Sequence, residues 1–246
     1  MVRYSASLLV CAEYRVSVSS TVQTERGSAK RTEAVGWRGQ VLVVAEADPD
    51  GSVALVGWFE QLDVWSETPE GRVSPGTGGL IGGRYRGRLE PSGVYHREAV
   101  PFMPEAIVVI ADLATALDEL FPPVPGRALA VGQSATDSLG WQFDRLSDTT
   151  WREMAARRFR LVHRDSSSVV ADFGSGRSVN GTSLEVERGR LVWVEAAGPV
   201  LWTRRITTTV SFPEATLTPE AVVTRVDQRR RVERVGTASA PRCPAQ

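Results

Sequence analysis

Histidine, cysteine and lysine are scarce in this 246-residue chain, and their scarcity limits the chemistry that it can support. The three types are represented only by His96, His163, Cys11, Cys243 and Lys30. Four scattered histidine and cysteine residues leave little material for a zinc site or for thiol chemistry. We therefore expect no metal site and no cofactor.

The chain also lacks an excess of charge and long apolar runs. Its 29 basic and 29 acidic residues balance, so no overall field draws it to nucleic acid or to an anionic membrane surface. No run of about 18 apolar residues is present, which is the length that a transmembrane helix needs. We expect no nucleic-acid partner and no transmembrane helix.

Familiar catalytic motifs are missing as well. The sequence contains no G-x-S-x-G, H-E-x-x-H or C-x-x-C pattern. Gly174-Ser175-Gly176 follows a strand-like run, but no helical pattern comes after it to support a nucleophile elbow. We therefore expect no catalytic residues and no enzyme activity, and an enzyme of unrecognised type is the last of the alternatives.

Residues 39–71 are the stretch around which the rest of the chain is organised. Two long apolar runs flank Asp48-Pro49-Asp50-Gly51, a turn sequence that specifies a β-hairpin. Residues 41–44 are apolar at every position, as are most of residues 53–59. Continuous apolar runs are typical of strands that are covered on both faces, so we place this hairpin in the middle of a sheet.

Apolar and polar residues alternate in much of the remaining chain, which predicts further strands. Arg188-Gly189 reads as a tight turn between two of them. The basic stretch of residues 227–234 reads as a charged edge strand, which protects a sheet against unwanted pairing, rather than as a contact for nucleic acid or lipid headgroups. The predicted strands are residues 14–23, 84–89, 94–98, 141–146, 151–163, 169–173, 184–187, 191–195, 200–212 and 222–235.

Residues 104–121 have the period of a helix. Pro104 and Glu105 fit a helix start, and Phe121-Pro122-Pro123 fits its end. A helix of about 18 residues would span ~27 Å. One broad apolar face is formed by Ile107, Ile110, Leu113, Ala114, Leu117 and Phe121.

These patterns predict a mainly β (α+β) fold, in which a large curved antiparallel sheet, a half-barrel, wraps around one long buried helix. The second half of the chain shows no helix to cover a core of its own, so residues 12–236 are expected to form a single domain. Residues 237–246 read as an irregular tail.

Residues 1–11 allow several interpretations. Arg3 and a short apolar stretch before Cys11 are similar to the end of a secretion or lipoprotein signal, whose remnant this would be. Alternatively the true start lies upstream, Cys11 and Cys243 form a disulfide in an oxidising compartment, or both are free thiols. We expect a bacterial periplasmic or cell-envelope location, with a membrane anchor at Cys11 as one of the options.

The order of these elements resembles a known type of bacterial protein. The resemblance rests on the Asp48-Pro49-Asp50-Gly51 and Thr68-Pro69-Glu70-Gly71 turns, the 104–121 helix, residues 125–132 and the 187–193 hairpin. Together they resemble uncharacterised secreted proteins and lipoproteins with a half-barrel similar to lipoprotein carriers of the LolA type, over residues 12–236. Such a carrier implies a concave face that binds acyl chains beneath helices that act as a lid.

Tryptophan is the most informative residue type, with seven copies. Six fall in or beside predicted strands, where large rings fill a core or line a cleft. Core filling is the simpler interpretation, but rings that the helix does not cover would face a groove. We predict the ligand-binding residues to be Trp58, Trp65, Ile110, Leu117, Trp193 and Trp202.

Two non-enzymatic functions remain after these exclusions. The first is a cell-envelope protein that binds a hydrophobic small molecule or lipid in a cleft between helix and sheet. The second is a structural or accessory subunit of a larger membrane-associated protein complex. Composition does not choose between them, although the predicted cleft favours the first.

Overall fold

The computed structural model of the chain describes residues 3–122, 124, 133–136, 142–145, 151–164, 181–194, 198–212 and 222–237. The predicted strand at 169–173, the return at 125–132, the Gly174-Ser175-Gly176 sequence, Trp141 and the tail beyond residue 237 lie outside these ranges.

One 12-stranded sheet dominates the fold. Its order is β6-β5-β3-β2-β1-β12-β11-β10-β9-β8-β7, with β4 beside β3, and every described strand pair is antiparallel. The mainly β class and the large antiparallel sheet are thus confirmed, while the half-barrel curvature stays a prediction. The strands are β1 (Ala12–Arg26), β2 (Ala29–Ala47), β3 (Val53–Thr68), β4 (Gly71–Val73), β5 (Tyr85–Leu89), β6 (Tyr95–Ala99), β7 (Ser134–Thr136), β8 (Gln142–Arg145), β9 (Trp151–Arg164), β10 (Gly181–Val194), β11 (Gly198–Phe212) and β12 (Val222–Thr237).

The hairpin of β2 and β3 forms where the sequence predicts it. Gly51 has a φ of 86°, a left-handed conformation that glycine adopts without steric cost. The Asp50 carboxylate accepts hydrogen bonds from the backbone N–H and the hydroxyl of Ser52, at 2.9 and 2.6 Å, and so stabilises the turn. β2 pairs with β1 on its other side, which confirms the position in the middle of the sheet.

The last strand is not at an edge, contrary to the prediction. β12 pairs with β1 on one side and β11 on the other, so it joins both halves of the chain into one sheet. Arg229 and Arg231 are exposed on one face, where they contact the carboxylates of Asp227 and Glu233. Arg230, between them, is buried on the other face. Because successive side chains of a strand point to opposite faces, Arg229 and Arg231 reach solvent although β12 has no exposed edge.

The predicted turn at Arg188-Gly189 is also wrong. β10 runs through both residues without interruption and pairs with β9 and β11 along its length. A Cβ atom on Gly189 would lie 2.6 Å from the Trp202 ring. The glycine therefore makes room for a large ring on the neighbouring strand instead of reversing the chain.

The long helix at 104–121 is not present. The structure has a four-residue helix α1 (Ala6–Leu9) near the N-terminus, a second one, α2 (Glu105–Val108), and a 3₁₀ turn (Leu113–Thr115), with turns in between. Ile107–Ile110 is a run of four β-branched residues, which lose side-chain freedom in a helix. The Asp112 carboxylate accepts a hydrogen bond from the backbone N–H of Ala114 at 3.1 Å, an interaction that competes with helical pairing.

Residues 105–121, which we call the cover segment, still pack on the sheet as the sequence predicts. Its buried apolar side chains join one core cluster with those of the strands. The sheet face in this cluster is the inner face, which carries Tyr14, Val16, Trp37 and Val41, and the opposite side is the outer face. The buried members of the cover segment are Ile107, Leu113, Ala116, Leu117, Leu120 and Phe121.

The first residues of the chain contribute to the same core. Tyr4 and Leu9 are fully buried. The Tyr4 hydroxyl donates a 2.8 Å hydrogen bond to the Pro122 carbonyl, and its ring meets those of Phe121 and Trp193 edge to face. The N-terminal residues thus link the cover segment to the strands from the second half of the chain.

Cys11 is disulfide-bonded, which favours the disulfide among the interpretations of the N-terminus. Cys243, the other cysteine of the sequence, lies outside the described residues.

Candidate functional site

A cavity of about 220 Å³ lies between the cover segment and the inner face of β1, β2 and β12. Part of its wall is apolar and part is polar, so the cavity suits an amphipathic ligand. The apolar part is made by Val18, Val35, Trp37, Ile110 and Ala111, and the polar part by Ser20, Asp112, Thr115, Glu119, Gln228 and Arg230.

The cavity sits where the inner face changes from apolar to polar. Along β1, Tyr14, Val16 and Val18 point into the core, and the next inward position is Ser20. In β12 the register places Arg230 opposite Val18 and Gln228 opposite Ser20. Ser20 is too small to fill the volume that a large apolar side chain would occupy at this level, and a cavity remains beneath the cover segment.

Arg230 is the most unusual residue of the cavity. Its side chain is 4% exposed, and Nη2 contacts Oε2 of Glu119 on the cover segment. Burial lowers the pKa of Arg230 to about 9, so at neutral pH the guanidinium stays protonated and Glu119 is its counter-ion. Among the described residues, Nε of Arg230 has no hydrogen-bond partner. Buried donors are nearly always paired, so an unpaired one on a residue that lines a cavity indicates a place where a ligand atom can bind.

Apolar packing and a second ion pair also hold the cover segment. Nη2 of Arg97, on the edge strand β6, lies 2.6 Å from Oδ2 of Asp118. Leu117 packs onto the backbone of β3, where a Cβ atom on Gly57 would lie 2.9 Å from its Cδ2. The glycine in the strand therefore allows the segment to approach the sheet closely.

The structure does not gather the six predicted ligand-binding residues around one cleft. Leu117, Trp193 and Trp202 are buried in the core at 1%, 2% and 3% exposure, and Ile110 alone of the six lines the cavity. Trp58 and Trp65 alternate with the inward-facing Phe59 and Val64 of β3 and so lie on the outer face. The role of the six residues in binding a ligand stays a prediction.

Other cavity residues were missed by the reading of the sequence, above all Trp37, Glu119 and Arg230. A signal for Arg230 was available, since alternation within the basic run places it on the same face as Val232. The contact between Glu119 and Arg230 joins residues 111 positions apart in sequence, and no local pattern reveals it.

The parts of the chain that the structure describes contain no group of three or more histidine, cysteine or acidic residues placed to hold a metal ion. In those same ranges, no helix has the length and apolar character required to cross a bilayer.

The fold is similar to that of a solved structure of another protein. A structure that concerns lipid–protein interactions in lipovitellin superposes with a TM-score of 0.52 at 11% identity, covering 96% of this chain and 26% of the lipovitellin chain. This chain therefore spans about a quarter of that protein, and at this identity the likeness shows the fold alone. A DUF1329 family protein from Desulfovibrio piger has 10% identity over 94% of this chain and 89% of its own, but its TM-score of 0.18 carries no argument.

No family model and no curated protein matches the sequence. The comparisons therefore do not show the expected kinship with carriers of the LolA type, which stays a prediction.

Proposed function

We propose that this protein binds a hydrophobic, lipid-like ligand between the cover segment and the inner face of the sheet, without catalysing a reaction, in the bacterial cell envelope. The observation that carries this proposal is the half-apolar cavity beneath a segment that is mostly not helical. The proposal keeps the cleft predicted between residues 104–121 and the sheet, with a different set of lining residues.

The size of the cavity implies that the cover segment moves when a ligand binds. Pockets for drug-sized ligands hold roughly 300–1,000 Å³, whereas this cavity holds about 220 Å³. Because the cover segment has only a four-residue helix and a 3₁₀ turn, displacing it breaks few helical hydrogen bonds. An acyl chain would replace the apolar contacts that Ile110 and its neighbours lose.

Two independent observations support the ligand and the location. The likeness to lipovitellin, a protein studied for its lipid interactions, covers nearly the whole of this chain. The disulfide bond at Cys11 supports an oxidising compartment, since disulfides persist outside the cytosol.

Tryptophan fluorescence provides the test, because Trp37 lines the cavity and Trp65 lies on the outer face. We expect a brominated stearic acid methyl ester to quench the emission of the purified protein with a saturable dependence on concentration. The Trp37→Phe variant should lose at least half of the quenched amplitude. The matched Trp65→Phe variant should keep it.

Urea unfolding and circular dichroism of both variants verify that they remain folded. The proposal is overturned if the ester causes no saturable quenching in the wild-type protein. It is also overturned if Trp65→Phe, and not Trp37→Phe, removes the quenching, since the ligand would then lie on the outer face.

The second candidate is an accessory subunit of a membrane-associated complex. Four large apolar residues are exposed beside the edge strand β6 and in the first half of the cover segment: Val100, Phe102, Val108 and Val109, with exposures of 39%, 85%, 56% and 74%. Exposed apolar side chains at an open edge favour contact with another protein. Native mass spectrometry of material purified gently from its host separates the candidates, since a lipid-sized adduct supports the first and co-purifying proteins support the second.

A further inference from the structure

We propose that the ligand presents a neutral hydrogen-bond acceptor, such as the carbonyl of an acyl ester, to Arg230, and that a free fatty acid is the poorer ligand. This inference rests on the proposed function, because it names the class of lipid for the same cavity. It follows from the unpaired donor, the charges around it and the arrangement of the walls.

The donor is Nε of Arg230. The residue is 5% exposed and lines the cavity, and this atom finds no acceptor among the described residues. An N–H group in such a place is costly until an oxygen atom accepts its hydrogen bond. A ligand that places a carbonyl oxygen at this N–H group therefore gains more binding free energy than a ligand that places only hydrocarbon there.

The surrounding charges decide which kind of oxygen fits. Glu119 already provides a carboxylate for Arg230, and Asp112 places a second carboxylate on the cavity wall. Among the described residues that line the cavity, one arginine therefore faces two carboxylates, which leaves no surplus positive charge, so a fatty-acid carboxylate would be buried without a counter-ion. A neutral carbonyl carries no such cost.

The walls fit the rest of an ester. Trp37, Val35 and Ile110 belong to the apolar part of the lining, which can contact an acyl chain. Ser20 and Gln228, which face each other in register on β1 and β12, can donate to or accept from hydroxyl groups on the other side of the ester. Glycerol monoesters combine these features, so we expect them to be the preferred class.

The test compares two brominated probes of equal chain length, a glycerol monoester and the corresponding fatty acid, by tryptophan quenching at neutral pH below their micelle concentrations. For the wild-type protein, we expect the monoester to bind at least tenfold more tightly than the fatty acid. Arg230→Lys keeps a positive charge and removes Nε, and it should reduce this preference to less than threefold.

Glu119→Gln is the sharper variant, because it removes the carboxylate that neutralises Arg230. We expect it to increase the affinity for the fatty acid at least tenfold while that for the monoester changes little. Asp118→Asn is its matched control, since Asp118 neighbours Glu119 on the cover segment but pairs with Arg97. This control should leave the ratio of the two affinities as in the wild-type protein.

The outcomes distinguish this inference from the proposed function. If both probes bind but the fatty acid binds as tightly as the monoester or more tightly, the inference is overturned and lipid binding stands. If Glu119→Gln and Asp118→Asn change the ratio equally, the role of Glu119 and Arg230 is refuted. If neither probe binds, the proposed function fails and the inference with it.

Discussion

The inner and the outer face of the sheet use the same large aromatic residues in different ways. On the inner face, Trp37 meets Phe59 edge to face at 5.6 Å, and Phe59 meets Tyr85 at 5.8 Å. On the outer face, the guanidinium carbon of Arg84 lies 3.6 Å from the centre of the Trp58 ring, and that of Arg72 lies 5.1 Å from that of Trp65. Inner rings are thus covered by other rings, and outer rings by long cationic side chains.

The comparison shows what makes one face a candidate for ligand binding. A ring packed against other rings is part of an apolar cluster, and the cavity lies where this cluster meets polar residues such as Ser20 and Arg230. A ring beneath an arginine keeps its position through a cation–π contact while the charged group stays in water. The surroundings of Trp37 at the cavity therefore differ from those of Trp58 and Trp65 on the outer face, although the sequence pattern favoured the latter two and not Trp37 as ligand-binding residues.

Of the changes considered, alkaline pH should reduce the stability of the fold most, through the inner face. All four tyrosines pack on this side of the sheet, and burial raises the pKa of Tyr14 to about 12 and those of Tyr4, Tyr85 and Tyr95 as well. Since the folded pKa lies above the unfolded value of 10.0, the neutral phenols stabilise the fold below pH ~10. This contribution is lost as the pH rises from ~10 through the folded values.

We therefore expect the melting temperature to fall steeply above pH ~10. Absorbance at a phenolate wavelength should stay flat until the protein unfolds, and then rise for all tyrosines together. A gradual titration near the ordinary tyrosine pKa in the folded protein would show that the phenols are accessible to solvent, and would contradict the description of the inner face.

Phe121→Ala should have the next largest effect. The ring is 2% exposed and meets Tyr4, Tyr14 and Tyr95 at centroid distances of 5.8, 6.3 and 6.3 Å. Its removal leaves a cavity between the cover segment and the inner face, so the free energy of unfolding should fall by about 3–5 kcal/mol. Urea unfolding measures this loss.

Phe102→Ala is the matched control, because the same change is made at a side chain that is 85% exposed. It should alter the free energy of unfolding by less than about 0.5 kcal/mol. Equal losses in the two variants would show that the cover segment does not pack on the sheet as described.

Arg84→Met tests the outer face and should have the smallest effect. The substitution keeps an unbranched chain over Trp58 and removes the cation, so the loss should be about 0.5–1 kcal/mol in urea unfolding. Arg86→Met is the control, since Arg86 is an exposed arginine two residues further on, in β5. If both changes cost the same, the cation–π contact contributes nothing specific to the outer face.

The prediction of strands succeeded where the pattern was local. The turn at residues 48–51 and the alternation in β1, β5, β11 and β12 appear in the structure, because a strand with one buried face imposes a period of two on its own residues. The prediction of the cover segment was correct in its burial and wrong in its conformation. The same spacing of apolar residues is compatible with a helix and with a series of turns. The run of β-branched residues and the Asp112 side chain favour the turns.

The candidate site could be predicted only in outline. Ile110 and the idea of a cleft under residues 104–121 came from periodicity, whereas Arg230 and Glu119 did not. Their meeting depends on β12 lying beside β1, a pairing between the two ends of the chain that strand patterns do not specify. The same pairing moved the basic run from the expected sheet edge to the middle of the sheet.

The sequence by itself determined the β class, the central hairpin and the apolar character of the cover segment, because these depend on the order of neighbouring residues. Tertiary structure alone decided which tryptophans face the core, where the inner face turns polar, and which carboxylate meets the buried arginine. Those features depend on strand order and register, and contacts over more than a hundred residues are selected by packing of the whole chain rather than by any local pattern.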